Sequence, residues 1–432
     1  MSWRRWSSQM ITAPTFLTIS TLAEGPALPF TCHNSSVRIL ISAGEASGEF
    51  YGAELIVALR RLISQQPAGD GAIEFFGVGG ERMRDAGCEL LVDAREIAEV
   101  GIVEVVKHIP NIYRRFREVV GEAERRRPDA AVLIDFPDFN LRLARELHRR
   151  GVPVIYYVSP QLWAWKQRRI ERVRKYVREM LVIFPFEEKF YRERGIAAEF
   201  VGHPLADLPQ PTITRTHFAA EYKLDPLRPW VALLPGSRRG EVARIFPVLL
   251  NAAKLLGPDY VYTVPVASTL DAGWVASFLR DYSGPPITLT RDARATLLHA
   301  RAAAVTSGTS TLEAALIGTP FAMVYGVAPL TWKLGRRLVK VDRFAIVNLI
   351  AERDVVPELV QEDFRPQRVC DELRRIVPDG PARSEMLEGF AEVRRRLEPR
   401  EKNGGASERA AQIVLEVVKG KMKHRDTETQ SS

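Results

Sequence analysis

Val37-Arg38-Ile39-Leu40-Ile41-Ser42-Ala43-Gly44-Glu45-Ala46-Ser47-Gly48-Glu49 is the stretch whose reading decides the fold class. The run VRILIS (37–42) is short, apolar and rich in β-branched side chains, which reads as a buried strand. Gly44 to Gly48 form a tight loop, and Leu55, Ile56, Leu59, Leu62 and Ile63 then recur with the spacing of one helix face. Strand, glycine loop and helix in that order open a parallel α/β sheet. Working outward, IEFFGV (73–78), AAVLID (130–135), PVIYYV (153–158) and EMLVIF (179–184) read as further strands.

Between about Leu205 and Pro229 the pattern lapses into a proline-rich stretch of interdomain character. It then restarts: WVALL (230–234) is a strand, PGSRRG (235–240) a loop, and Val242, Ile245, Phe246, Leu249, Leu250 and Ala253 a helix face that begins after Gly240. Strands near YVYTVP (260–265), AAAVTS (302–307) and PFAMVY (320–325) follow. The expected architecture is α/β, with two Rossmann-like domains facing a cleft. Residues 37–208 form the first and 209–420 the second, whose last helix is expected to return onto the first. Residues 1–36 carry many Ser and Thr and no sustained periodicity, and read as a disordered extension or an over-early start. Residues 421–432 read as a polar tail.

Composition narrows the function classes. A chain of 432 residues with 46% hydrophobic content is a packed globular protein too long for one ordinary core. Lys and Arg outnumber Asp and Glu by 61 to 53, a formal charge of +8, which favours an anionic partner: nucleic acid, phosphorylated substrate or acidic lipid. The three cysteines, Cys32, Cys88 and Cys370, lie far apart, so neither a disulfide framework nor a zinc site is indicated. No run reaches the roughly 18 apolar residues of a membrane span.

Several segments carry candidate chemistry. Gly44, Glu45 and Ser47 belong to the loop after the first strand, where α/β sheets bind ligands; Glu45 is placed to accept from sugar hydroxyls. The loop lacks a full G-x-G-x-x-G and a P-loop G-K-[ST], so neither dinucleotide nor ATP binding is supported. Gly236, Ser237 and Arg238 combine a helix N-terminus with a guanidinium, a ready diphosphate site. Gly308, Thr309 and Glu313 lie between a strand and a helix of the same half; Glu313 either completes a capping box with Ser310 or takes the ribose hydroxyls of a nucleotide. DFPDFN (135–140) puts Asp135, Asp138 and Asn140 just after a strand, where a catalytic base belongs, whereas Asp129 at the strand's start reads as structural. Gln161 and Trp163, with Trp165, occupy a loop that stacks on a sugar, docks on a membrane or packs in the core. His203 is either a phosphate contact or a structural donor. Ile102, Val103, Val106 and Ile109 form an apolar stripe beside Lys107, Arg114, Arg115 and Arg117, as in an interfacial helix or an ordinary core stripe, with Pro110 expected to kink or divide it.

SAGEASGE (42–49), GIVEV (101–105), DFPDFN (135–140), YVSPQLWAW (157–165), FVGHPLAD (200–207), LLPGSRRGE (233–241) and SGTSTLEAAL (307–316) together resemble the lipid-A-disaccharide synthase family, in family order across about residues 37 to 420. Tyr325-Gly326-Val327 departs from it, standing where the family pattern has Tyr followed by a basic residue. The resemblance implies an inverting glycosyltransferase of GT-B type that moves a sugar from UDP-2,3-diacylglucosamine to 2,3-diacylglucosamine 1-phosphate through a β-1,6 bond. It implies a cytoplasmic location, peripheral on the anionic inner-membrane surface, no cofactor, and no nucleic acid partner. A homodimer is compatible with it. Independently, inversion needs one displacement and one base, for which Asp138 is the first candidate and Glu45 and Asp135 the reserves. The absence of any D-x-D fits a diphosphate neutralised by Arg238 rather than a metal. The runner-up is a related enzyme that uses UDP-N-acetylglucosamine on another acceptor, or epimerises it.

Overall fold

The computed structural model describes residues 36–65, 72–98, 105–164, 167–328, 343–400 and 404–430. Among the described residues seven strands form the first sheet: β1 (Val37–Ala43), β2 (Ile73–Gly79), β3 (Cys88–Asp93), β4 (Ala130–Ile134), β5 (Val154–Tyr157), β6 (Glu179–Val182) and β7 (Ala198–Phe200). Six form the second: β8 (Trp230–Leu234), β9 (Val261–Pro265), β10 (Ile287–Thr290), β11 (Ala302–Thr306), β12 (Phe321–Tyr325) and β13 (Glu358–Val360). Their orders are β3-β2-β1-β4-β5-β6-β7 and β10-β9-β8-β11-β12-β13, and each neighbouring pair is parallel. Both are doubly wound, and the strand order reverses between β1 and β4 in one and between β8 and β11 in the other.

That reversal positions the site. Loops leaving the carboxyl ends of strands at a topological switch point diverge, and the crevice between them holds the ligand. In the first sheet these are the loops after β1 and β4, kept level because Ala43 pairs with Ile134. In the second they follow β8 and β11, with Leu234 opposite Val305. The glycine loop, DFPDFN, PGSRRG and SGTSTLE therefore all emerge at switch points.

The strands are buried on both faces, so they read as continuous apolar runs: β4, β8 and β11 are buried at every position. The helix Ala46–Ser64 turns Leu55, Ile56 and Leu59 into the core, and the helix Arg239–Leu256 does the same with Val242, Ile245, Phe246 and Leu249. That second helix starts at Arg239, before Gly240, and so takes in residues expected in the loop. The final helix Ala406–Gln430 packs against the helix Ala46–Ser64 of the first half, burying Ala410, Ala411 and Val414. Where the chain passes between halves, His203 N–H donates to Leu397 O at 3.0 Å and Ala406 N–H to Asp207 Oδ2 at 2.6 Å. Asp129 accepts from Arg38 N–H at 2.9 Å, a structural tie between strands. The helix Val105–Arg126 runs on through Pro110 and is not divided there. Among the described residues no helix is long and apolar enough to cross a membrane.

Candidate functional site

At the end of β4 the backbone reverses through two consecutive left-handed residues, Asp135 (φ 44°) and Phe136 (φ 49°). Non-glycine residues adopt this region at a cost of about 1–2 kcal/mol each, so the surroundings must hold them there. Phe136 stacks on Phe139 with ring centroids 5.5 Å apart and reaches over Gly44, where a Cβ would lie 2.2 Å from its Cγ. Only glycine fits at position 44. Asn140 completes the clamp: its amide donates to Ser42 O, Ile134 O and Asp135 O, and its Oδ1 accepts from Ser42 Oγ at 2.7 Å. This corrects one expectation. Asn140 is fully buried and its polar atoms are engaged by the protein, so it joins the loops after β1 and β4 instead of touching substrate.

The clamp presents two carboxylates differently. Burial, and then the charge of Glu45, push the Asp135 carboxyl up to about 7, against a smaller opposing hydrogen bond from Phe136 N–H. Asp138, in the first turn of the helix Pro137–Arg149, is exposed and ion-paired with Arg169. Asp135→Asn is expected to separate the two electrostatically. The folded chain keeps a proton on Asp135 between about pH 4 and pH 7 that the unfolded chain releases. Wild-type stability therefore falls with rising pH across that window, by up to about 1.4 kcal/mol per unit, while the amide does not titrate. The melting temperature of the variant relative to wild type should rise from pH 4 to pH 8; a constant difference would contradict the assignment.

Across the cleft, Arg238 caps the helix Arg239–Leu256 with extended backbone and no side-chain cap. Its guanidinium lies 3.4 Å from Glu45 of the first half and 3.4 Å from Glu241 of its own helix. Thr269 fixes this loop by donating to Ser237 O at 2.7 Å; Gly236 is half-buried, and Ser237 is exposed. The helix Thr309–Ile317 begins at Gly308 (φ 138°), again without a side-chain cap, and Thr309 is exposed. Of the two alternatives for Glu313, the capping box with Ser310 is not formed, because the helix starts before Ser310. Glu313 is half-buried, and burial raises its carboxyl above the usual range, with Arg294 and Arg82 opposing. Glu313 also bears on Tyr51 of the helix Ala46–Ser64, a buried phenol raised by burial and by Tyr157, Glu313 and Asp135. Tyr51 was missed in the sequence because it sits within an apolar helix face.

The remaining expected residues divide. Ser47 is half-buried, and Gln161 exposed. Trp163 is packed in: its Nε1–H donates to buried Glu187 at 3.2 Å and its ring meets Phe186 edge-on at 5.0 Å. Its neighbour Trp165 lies outside the described residues. His203 is buried with Nδ1 accepting from Leu205 N–H, and burial lowers it to about 3. The neutral ring offers no cation to a phosphate, which corrects that alternative. Ile102 and Val103 lie outside the described residues, and for Val106 and Ile109 only the helical backbone is described. At the departure noted above, Gln361 bridges the backbone of Tyr325 and Val327.

Comparison with known proteins identifies the family. A family model described as lipid-A-disaccharide synthetase matches residues 39–414. The chain belongs to the lipid-A-disaccharide synthetase family. It is 58% identical over 386 residues to the lipid-A-disaccharide synthase of Koribacter versatilis, covering 89% of this chain and all of the relative. Among solved structures, the glycotransferase of kitacinnamycin matches with TM-score 0.57 at 15% identity, over 88% of this chain and 99% of the other. The UDP-GlcNAc 2-epimerase of Neisseria meningitidis, bound to UDP-GlcNAc, matches with TM-score 0.53 at 11% identity, over 89% and 99%. At such identity these two show the fold alone, the GT-B arrangement, and give the epimerase alternative no preference. Within the lipid-A-disaccharide synthetase family the chain is a glycosyltransferase.

Proposed function

We propose that the cleft joins a 2,3-diacylglucosamine unit from UDP-2,3-diacylglucosamine to 2,3-diacylglucosamine 1-phosphate, forming a β-1,6 disaccharide and releasing UDP. The observation that carries this reading, beside family membership, is the approach of Glu45 and Arg238 across the cleft. It sets side by side a carboxylate suited to sugar hydroxyls and a guanidinium suited to a diphosphate, and the charge of Glu45 also bears on Asp135. The uncapped helices at Arg238 and Gly308 supply amide donors for the diphosphate and nucleotide, and Glu313 takes the ribose hydroxyls.

The acceptor's 6-oxygen attacks the anomeric carbon while the bond from that carbon to the UDP oxygen breaks. The hydroxyl proton passes to Asp138, and UDP leaves with the bonding pair, its charge met by Arg238 and the helix amides. One observation favours a second reading for the base: a carboxyl near 7, as at Asp135, matches a base working at neutral pH. UDP release requiring both diacyl sugars tests the reaction. Release with donor alone, or with UDP-N-acetylglucosamine in its place, would favour the alternative.

The stripe of Ile102, Val103, Val106 and Ile109 is proposed as the contact with a membrane surface. In its support, the helix Val105–Arg126 exposes Tyr113, Arg114 and Arg117, an aromatic and two cations suited to an anionic headgroup layer. Replacing Val103, Val106 and Ile109 together with Ser is expected to release the protein from anionic vesicles with its circular dichroism and melting temperature nearly unchanged. Unfolding of the variant would return the stripe to the core, and persistent sedimentation with vesicles would place the contact elsewhere.

A further inference from the structure

We propose that Arg169 recognises the phosphomonoester of the acceptor, exchanging Asp138 for the phosphate when the acceptor enters. The inference rests on the transfer reaction proposed above and adds a specificity-determining residue to it.

Arg169 ends the short 3-10 turn Gln167–Arg169 that follows the tryptophan loop. Its side chain is 17% exposed, whereas that of Asp138, its partner, is 68% exposed. The stem is thus sheltered by the fold, and the charged head meets a carboxylate at the open surface. Among the described residues Asp138 is its hydrogen-bond partner, reached through one Nη2. A guanidinium carries five N–H donors in a planar fork, so among the described residues most of its donors are unspent.

The turn that carries Asp138 is itself tied to the next strand. The Tyr156 hydroxyl on β5 donates to Asp135 O at 2.6 Å, and besides burial it responds to the charges of Asp135, Tyr191, Arg169 and Asp138. Asp135 and Asp138 thus leave β4 in one turn that the Tyr156 phenol holds to β5, with Arg169 bonded to Asp138. A cation kept there serves chemistry that needs an anion beside the base, and the nucleotide-side loops already account for the diphosphate. A phosphomonoester presents up to two negative charges and three acceptor oxygens to the fork, against one charge on the carboxylate. It displaces Asp138 from Arg169, and the lone pair of Oδ1 that held the guanidinium opens to the acceptor hydroxyl. Phosphate recognition and exposure of the base are then one event.

The test compares kcat/KM for 2,3-diacylglucosamine 1-phosphate and for the same sugar without its phosphate, in wild type, Arg169→Ala and Arg169→Lys. Wild type is expected to prefer the phosphorylated acceptor by about 10- to 100-fold, the scale of a charged hydrogen bond. Arg169→Ala should reduce that preference to near unity, through the acceptor KM and with the donor KM unchanged. Arg169→Lys, which keeps the charge and loses the fork, should fall between. Should the Ala variant not fold, the Lys variant decides: an undiminished preference overturns the assignment. Variants slowed equally on both acceptors also overturn the role of Arg169 while leaving the transfer reaction standing. A wild type that forms no disaccharide from either acceptor overturns the transfer reaction itself.

Discussion

Asp138→Asn is expected to lower kcat by about 10²- to 10⁴-fold, the usual cost of losing a general base, with UDP affinity unchanged. The amide keeps the size of the side chain and still offers an oxygen to Arg169, so the turn at the start of the helix Pro137–Arg149 should persist. What it cannot do is take the proton of the attacking hydroxyl. UDP affinity is insulated because the residues proposed for the diphosphate and ribose, Arg238 and Glu313, belong to the second half of the chain, at the N-cap of the helix Arg239–Leu256 and in the helix Thr309–Ile317. Turnover by UDP release and UDP affinity by calorimetry give the comparison. A variant keeping more than half of wild-type kcat would pass the role to Asp135, with its carboxyl near 7, or to Glu45.

Arg238→Ala should weaken UDP by about 10- to 100-fold and also slow the chemical step, since both bound donor and departing UDP carry the diphosphate. Part of the loss comes from what is left behind. Glu45 and Glu241, each 3.4 Å from the guanidinium, would face the diphosphate uncompensated. The pairs themselves do not oppose binding strongly, because Arg238 is 69% exposed and exposed pairs are worth about 0–1 kcal/mol. Donor entry can therefore separate Glu45 from Arg238 at small cost and free both for ligand. An unchanged UDP affinity would remove Arg238 from the diphosphate site.

The fold was legible because its central strands announce themselves. WVALL is apolar throughout and VRILIS is so but for Ser42 and the exposed Arg38, each run is followed by a glycine loop and then a helix face, and these positions imply the two switch points. The strands that escaped reading were peripheral: β7 and β13 span three residues each, too few for periodicity, and β3 and β10 are edge strands with mixed burial. Within the site, loops were legible and side-chain direction was not. Asn140 looks like a cleft residue beside two aspartates, but the helix beginning at Pro137 turns it inward to clamp β1 to β4. Ser310 and Glu313 have capping-box spacing, yet the positive φ of Gly308 starts that helix earlier. Arg169 was hidden among basic neighbours, its partner lying 31 positions away and joined to it only by the pairing of β4 and β5 and the loops beyond.

The reaction proposed for this cleft is a single inverting displacement between two diacyl sugars. The direct measurement is nuclear magnetic resonance of the product formed by the purified chain from UDP-2,3-diacylglucosamine and 2,3-diacylglucosamine 1-phosphate. The expected result is one disaccharide, linked β-1,6, with the transferred anomeric centre opposite in configuration to that of the donor and one UDP released per linkage. A product that retains the donor's configuration, or UDP released with no disaccharide formed, would contradict it.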